Sequence, residues 1–228
     1  MGARILEIQI IGECNLNCKN CSALVDFNYN KNYQITLDEI NEIIKVAKLS
    51  RIQVIVITGG EAIMHPEIEE IIRLVTKAGF QVWMNTNGIL KTKLENLKKL
   101  FPNNLVYKNT QKTSSVQPLF KNFHFTTQDI LDIGGEVLAI NTPEQCILAS
   151  RSIYYLGKYY QCCLGGMCDQ VNNLNVGIEF NNEPIDIEQL REKQRILCSH
   201  CGEQGIQFTN PNKVDISTIG SKWKRGPI

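Results

Sequence analysis

Three cysteines near the start of the chain are spaced in a way that could bind an iron–sulfur cluster. Cys14, Cys18 and Cys21 follow the pattern C-x3-C-x2-C within one short segment. Thiolates are soft ligands for iron clusters and zinc, and three of them can bind three corners of a cubane cluster. The fourth iron then stays open to a substrate or cofactor, whereas structural sites usually close every position with protein ligands. The triad therefore predicts a reactive metal centre.

Two structural interpretations compete with a reactive centre. The triad could be a zinc site with a distant fourth ligand, or it could be three unrelated buried thiols. The position of the triad favours a reactive centre, because residues 5–11 are predicted to form a strand and the cysteines directly follow that strand. Barrel enzymes place their active sites at the C-terminal ends of such strands.

Two glycine-containing segments end later predicted strands. Gly59, Gly60 and Glu61 follow the β-branched run at 52–57. Glycines let a backbone approach a ligand closely, and a carboxylate at a strand end can pair with an ammonium group. Thr86, Asn87 and Gly88 end the next strand. Each segment could also be an ordinary turn, because short glycine motifs are weakly specific.

A second set of cysteines lies in the last third of the chain. Four of them could close a metal site from separate segments: Cys146, Cys162, and the C-x2-C pair Cys198 and Cys201. A structural zinc and a second iron–sulfur cluster are both compatible with four thiolates. Cys163 competes with Cys162 as a ligand, and Cys168 is a further spare thiol.

Strand and helix signals alternate over the first hundred residues, which predicts a parallel α/β fold. Thr36 and Glu39 form a capping box before a helix over 36–49, and Thr92 and Glu95 form another before a short helix. A helix with Ile68, Ile71, Ile72 and Val75 on one face separates the strands at 52–57 and 80–84. Apolar pieces at 105–107, 123–125 and 137–140 could be later barrel strands.

The pattern changes near residue 143, where we expect a second, smaller module. Residues 152–156 and 158–162 flank Gly157 like a β-hairpin. Asp186 and Gln189 cap a helix that leads to the C-x2-C pair. The predicted division is 1–142 for a partial barrel and 143–228 for a metal-binding hairpin and helix.

The composition excludes several partners. Of the 228 residues, 24 are Lys or Arg and 23 are Asp or Glu, so the net charge of +1 gives no reason to expect nucleic acid or an anionic membrane. No run of 18 apolar residues predicts a membrane span, and the N-terminus lacks a signal-peptide core. Nine cysteines without an export signal are expected to stay reduced, which predicts a cytoplasmic protein.

These motifs together resemble the radical S-adenosylmethionine (SAM) superfamily. The resemblance rests on CNLNCKNC at 14–21, TGGEAIMHPEI at 58–68 and TNG at 86–88. It implies a partial (β/α)6 TIM-like barrel, with Cys14, Cys18 and Cys21 holding a 4Fe-4S cluster whose open iron binds SAM. It also implies that Gly59, Gly60 and Glu61 meet the amino group of SAM, and that Thr86 and Asn87 lie near its ribose.

The sequence departs from the family on the adenine side. Asn20 replaces a residue that is commonly aromatic, and Ala62 replaces a common proline. The later strands carry no clear glycine-rich adenine-binding motif. These departures concern the pose of SAM and leave the cysteine triad intact.

The C-terminal cysteines resemble the Twitch module, a short form of the SPASM auxiliary-cluster domain. GKYYQC at 157–162 and LCSHC at 197–201 carry this resemblance. It implies an auxiliary 4Fe-4S cluster on Cys146, Cys162, Cys198 and Cys201, with zinc as the alternative.

The resemblance implies an enzyme that cleaves SAM reductively to a 5'-deoxyadenosyl radical. We expect a two-electron oxidation of a small sugar- or cyclitol-like alcohol, with electrons from an external donor such as flavodoxin or ferredoxin. Radical modification of a peptide is the alternative reaction. A zinc-stabilised binding module is the alternative outside enzymes. No residue stands out in the sequence as the catalytic acid or base.

Overall fold

The structure is a computed structural model that describes residues 4–16, 32–109, 135–137, 151–163, 165–200 and 206–208. Within these ranges the elements follow in chain order as β1 Ile5–Gln9, α1 Leu37–Leu49, β2 Val54–Thr58, a 3-10 turn Ala62–Met64, α2 Ile68–Lys77, β3 Gln81–Thr86, α3 Lys91–Leu100, β4 Leu105–Asn109, β5 Gly135–Val137, β6 Ser152–Tyr155, β7 Lys158–Tyr160, α4 Gly165–Asn172, β8 Ile178–Glu179, α5 Ile187–His200 and β9 Ile206–Phe208.

Seven of the strands form one sheet in the order β4-β3-β2-β1-β6-β7-β8. Strands β1 to β4 and β6 run parallel, because each of the first three is followed by a helix that returns the chain to the same edge. The carboxyl ends of these strands therefore share one edge. The arrangement confirms the predicted α/β class and agrees with a partial TIM-like barrel.

One face of the sheet packs against α1, α2 and α3. Leu6 and Ile8 of β1 lie level with Ile55 and Ile57 of β2, and all four are buried in the main core with the apolar faces of the helices. The capping box of Thr36 and Glu39 is present, so α1 begins where the sequence predicts. Such a cap contributes about 1 kcal/mol to helix stability.

The opposite face, called here the inner face, carries Glu7 and Gln9 of β1, Val56 and Thr58 of β2, and Trp83 of β3. These residues are matched across the sheet, with Glu7 beside Val56, Gln9 beside Thr58, and Val56 beside Trp83. Because side chains alternate between the faces of a strand, these polar groups point away from the helix-packed core.

The predicted hairpin is present as β6 and β7. Leu156 and Gly157 join the strands with φ values of 49° and 80°, as a two-residue hairpin turn of type I′ requires. Ile153 of β6 lies beside Glu7 and belongs to a small second core with Met167 of α4 and Leu197 of α5. The unit formed by α4 and α5 therefore covers the β6 end of the inner face.

Strand β6 pairs directly with β1, so the main sheet continues across the predicted boundary at 142/143. The division into two domains stays a prediction. Asp186 caps α5 as expected, since its carboxylate accepts the N–H groups of Glu188 and Gln189.

One local prediction is wrong. Thr92 does not cap α3, because the helix already begins at Lys91, with Leu90 at the cap position and no side-chain cap. Of the apolar piece at 137–140, only Val137 is among the described residues; it belongs to β5, which pairs with β9 in a separate two-stranded sheet, and a barrel strand at 138–140 stays a prediction. The piece at 123–125 lies outside the described residues.

No helix in the described part of the chain combines the length and apolar character needed to cross a bilayer.

Candidate active site at the C-terminal edge of the sheet

The segment that carries the first cysteine begins at a clamped point. Gly12 donates its N–H to the Tyr33 carbonyl at 2.9 Å, and Ile35 donates to the Ile10 carbonyl at 2.9 Å. These bonds flank an antiparallel bridge between Ile11 and Gln34. The two ends of the cysteine segment are therefore held together at the end of β1. Cys18 and Cys21 lie outside the described residues.

Gly59 and Gly60 pack against the same cysteine segment. Gly60 donates to the Ile11 carbonyl at 2.8 Å, and Glu61 donates to the Glu13 carbonyl at 2.9 Å. A Cβ on Gly60 would lie 2.3 Å from the Glu13 oxygen, and one on Gly59 would lie 2.6 Å from the Ile11 oxygen. The space that a Cβ would need is filled by protein backbone, so the close approach that requires glycine here is to the cysteine segment.

Glu61 ties two elements together through a buried carboxylate. Its side chain is 1% exposed, and its oxygens accept the N–H of Ile63 at 3.2 Å and the N–H of Asn87 at 2.7 Å. The first bond caps the 3-10 turn, and the second joins the end of β2 to the end of β3. Hydrogen bonds to a charged acceptor of this kind contribute about 1.5–3 kcal/mol each.

The Thr86–Asn87–Gly88 segment forms a turn stabilised by its own side chains. Thr86 Oγ1 accepts the N–H of Gly88 at 3.1 Å, and Asn87 Oδ1 accepts the N–H of Ile89 at 3.0 Å. Gly88 has a φ of 78°, a conformation that glycine adopts without strain. The turn that the sequence suggests is therefore present, and a contact of Thr86 or Asn87 with a ribose stays a prediction.

The amide of Asn87 points to the cysteine segment. Its Nδ2 donates to Asn15 Oδ1 at 2.7 Å and lies 3.8 Å from Cys14 Sγ, which also accepts the N–H of Leu16 at 3.4 Å. N–H donors near sulfur are what a metal-bound thiolate needs, because they stabilise its negative charge. The half-buried Cys14 therefore fits the role of a cluster ligand.

Both ring nitrogens of His65, which follows the 3-10 turn, form hydrogen bonds to backbone groups. Its Nδ1 accepts the N–H of Glu67 at 3.1 Å, so Nε2 carries the proton and donates to the Ile35 carbonyl at 3.0 Å. Burial lowers the pKa of His65, which keeps the ring neutral. His65 thereby links the residue before α2 to Ile35, on the return segment of the cysteine loop.

The later cysteines gather around α4 and α5. Cys162, Cys168 and Cys198 are buried; Cys168 donates to the Leu197 carbonyl at 3.8 Å, and Gln194 donates to Cys198 Sγ at 3.5 Å. Among the described residues no three potential ligand side chains are close enough to hold a metal. Cys146 and Cys201 lie outside those residues, so the four-cysteine ligand set stays a prediction.

The sequence reasoning missed the polar groups of the inner face. Glu7 is 7% exposed and Gln9 is 0% exposed. Burial raises the pKa of Glu7 to about 7, and the nearby positive charge of Arg151 opposes this shift. The sequence does contain a signal for them: ILEIQII has two polar residues at alternate positions in an otherwise apolar strand. Alternate positions share one face of a strand, and buried polar residues are uncommon, so the pair indicates a polar site on that face.

Comparison with known proteins identifies related chains. GTP 3',8-cyclase of Aquifex aeolicus (strain VF5) is 32% identical over 101 residues, which cover 42% of this chain and 32% of that protein. AdoMet-dependent heme synthase of Methanosarcina barkeri (strain Fusaro / DSM 804) is 32% identical over 90 residues, covering 39% of this chain and 25% of that protein. The matches thus span about a third or less of each relative's length.

Among solved structures, BtrN in complex with AdoMet and 2-DOIA aligns over 99% of this chain and 89% of its own, with a TM-score of 0.49 and 11% identity. A sequence profile described as the Radical SAM superfamily matches residues 8–144. This match covers more than half of the chain, and it includes the cysteine triad, Gly59–Gly60–Glu61 and the turn after β3. The chain belongs to the radical SAM superfamily.

Proposed function

We propose that this radical SAM enzyme oxidises a small sugar- or cyclitol-like alcohol by two electrons. Cys14, Cys18 and Cys21 would hold a 4Fe-4S cluster, and SAM would bind beside it. The cluster and SAM, when bound and reduced, supply a 5'-deoxyadenosyl radical that removes a hydrogen atom from the substrate.

The single observation that carries the proposal is the convergence of three motifs at one sheet edge. Asn87 contacts the cysteine segment through its side chain and Glu61 through its backbone N–H. A radical reacts with almost any nearby C–H bond, so the task of the protein is to position one bond and exclude others. Rigid ties between the strand ends serve that task.

The chain's own residues supply the contacts that SAM would need. Each oxygen of Glu61 accepts one backbone N–H and keeps a second acceptor position. The carboxylate can therefore also pair with the ammonium group of SAM's methionine. The backbone of Gly59 and Gly60 would meet the same group.

We infer that Cys146, Cys162, Cys198 and Cys201 hold an auxiliary 4Fe-4S cluster. The support is that Cys162, just before α4, and Cys198 of α5 are both buried. Met167 of α4 and Leu197 of α5 pack in one core with Ile153, which lies beside Glu7. After the radical has taken the C–H hydrogen atom and the hydroxyl proton has passed to solvent, an iron–sulfur cluster there could accept the remaining electron, and zinc could not. An external one-electron donor, such as flavodoxin or ferredoxin, would reduce the N-terminal cluster.

The substrate class rests on the resemblance to Twitch-bearing dehydrogenases and on the polar groups of the inner face. The names of the relatives include a GTP cyclase and a heme synthase, so similarity to them does not select one substrate. The near-neutral net charge supports a small molecule over nucleic acid or a membrane surface. Reduced thiols and iron clusters favour a cytoplasmic location.

Anaerobic reconstitution tests the proposal. We expect about eight irons per chain, no zinc, and 5'-deoxyadenosine formation from SAM under reduction. Replacing Cys14, Cys18 and Cys21 with Ala should abolish SAM cleavage, whereas replacing Cys198 and Cys201 should leave about four irons and stop alcohol oxidation. Cys163→Ala is the matched control and should keep all the iron.

Each alternative predicts a different result. About four irons with one zinc would indicate a structural second site. Radical transfer to a peptide with none to any alcohol would indicate a peptide-modifying enzyme. A colourless zinc protein that never cleaves SAM would contradict the proposal altogether.

A further inference from the structure

We propose that Glu7 and Gln9, on the inner face of β1, bind the hydroxyl groups of the substrate. This inference rests on the proposed function, because it names the surface that would hold the alcohol. It assigns a binding role to two residues that none of the sequence motifs includes.

The position of Gln9 points to a ligand near the cysteine segment. Gln9 lies level with Thr58, and Thr58 directly precedes Gly59–Gly60–Glu61. Gln9 is therefore one layer below the edge where the three motifs converge. Glu7 is two residues earlier on the same strand, about 7 Å deeper along the inner face.

Gln9 has no hydrogen-bond partner among the described residues. Its side chain is 0% exposed, and both Oε1 and Nε2 are buried and unpaired. An amide buried without partners destabilises a fold, because it loses its bonds to water and gains none. A ligand with hydroxyl groups would supply both a donor and an acceptor to this amide.

Trp83 presents a second unpaired donor on the same face. Its indole Nε1 is buried and makes no hydrogen bond to any described residue. Trp83 lies level with Val56, which lies level with Glu7, so the three side chains form one row across β1, β2 and β3. An indole offers an apolar surface together with one N–H donor, which suits a ring bearing hydroxyl groups.

The charges on this face favour a neutral or cationic polyol. The side chain of Glu7 is only 7% exposed. The positive charge of Arg151 attracts its carboxylate. A buried carboxylate repels phosphate groups but accepts hydrogen bonds from hydroxyl or ammonium groups. A nucleoside triphosphate therefore fits this surface poorly.

The test compares Gln9→Met with Gln81→Met in the reconstituted holoenzyme with SAM. Gln81 is an exposed glutamine on β3, so its amide is already hydrated. We expect Gln9→Met to raise the melting temperature by about 2–4 °C, because it removes an unpaired amide at nearly constant volume. We expect it also to weaken binding of myo-inositol, glucose and glucosamine by about tenfold or more in calorimetric titrations. Gln81→Met should change neither quantity.

A second variant tests Glu7 directly. Glu7→Gln should weaken binding of glucosamine more than binding of glucose at pH 8, because only the amine loses an ion pair. Unchanged affinity for both sugars would argue against direct contact of Glu7 with the ligand.

Several outcomes would overturn the proposal. A lower melting temperature for Gln9→Met with unchanged sugar affinity would show a structural role for Gln9. Failure of the wild-type enzyme to bind any of the three polyols would overturn the assignment even if SAM cleavage proceeds. Binding through Gln9 without oxidation of the bound polyol would instead refute the proposed reaction and leave the binding site standing.

Discussion

The backbone N–H of Asn87 donates a 2.7 Å hydrogen bond to the buried carboxylate of Glu61, and this bond joins the ends of β2 and β3. The side chain of the same asparagine reaches Cys14 and Asn15. Hydrogen bonds of Asn87 thereby connect three motifs, although the residues that they join are up to 73 positions apart in sequence. We therefore expect a substitution in any one of these motifs to alter the conformation or the surroundings of the cysteine segment.

Glu61→Gln should lower the free energy of unfolding by about 2 kcal/mol. The amide keeps one oxygen acceptor but turns an NH2 group toward the other backbone N–H, which is then left unpaired. Urea denaturation at pH 7 measures the loss. Glu69→Gln, an exposed change on α2, is the control and should stay within about 0.5 kcal/mol of wild type. Equal stability of the two variants would refute the role of Glu61 as a tie.

Gly60→Ala should destabilise the fold by roughly 1–3 kcal/mol and reduce iron uptake, because its Cβ would clash with the Glu13 carbonyl. Gly79→Ala is the comparison. It places a side chain in open space at a φ of 95°, so it should cost about 1 kcal/mol of backbone strain without iron loss. Thermal melts and iron counts after reconstitution distinguish the variants. Full iron content in Gly60→Ala would contradict the packing argument.

Asn87→Ala should make the midpoint potential of the N-terminal cluster more negative. The change removes an N–H donor 3.8 Å from Cys14 Sγ, and such donors stabilise the extra electron of a reduced cluster. Redox titration monitored by electron paramagnetic resonance measures the shift. The control is Asn85→Ala, two residues before Asn87 in sequence. It keeps the Asn87 amide in place and should leave the midpoint potential unchanged. Equal midpoint potentials in the Asn87→Ala and Asn85→Ala variants would contradict this prediction.

Glu7→Gln should alter how stability depends on pH. The pKa of Glu7 is about 7 in the folded chain and about 4.5 when unfolded, so between these values the folded state binds more protons. Wild-type stability should therefore fall as pH rises from about 4.5 to about 7. The glutamine variant lacks this dependence and should gain roughly 3 kcal/mol on wild type across the window.

Chemical denaturation of both proteins at several pH values tests this prediction. Contributions from other groups, including His65, are common to both proteins and cancel in the difference. Parallel stability profiles would mean that Glu7 is not held in an environment that disfavours its charge.

Much of the fold and part of the site follow from local sequence. The Thr36 cap and the hairpin turn at Gly157 could be predicted, and the ends of β2 and β3 could be predicted to within two residues, because each depends on residues within a few positions of one another. The cap predicted at Thr92 is wrong because a Thr–Glu pair inside a helix has the same spacing in sequence as a capping box at its start.

The sequence by itself determined which residues could bind a cluster, because C-x3-C-x2-C is a property of spacing alone. Only the tertiary structure decided what surrounds them. It paired β6 with β1, packed Gly60 against Glu13, and turned Asn87 toward Cys14. It also buried Glu7 and Gln9 on the inner face. These relationships depend on the register between strands that are distant in sequence, and that register is set by the packing of the whole sheet.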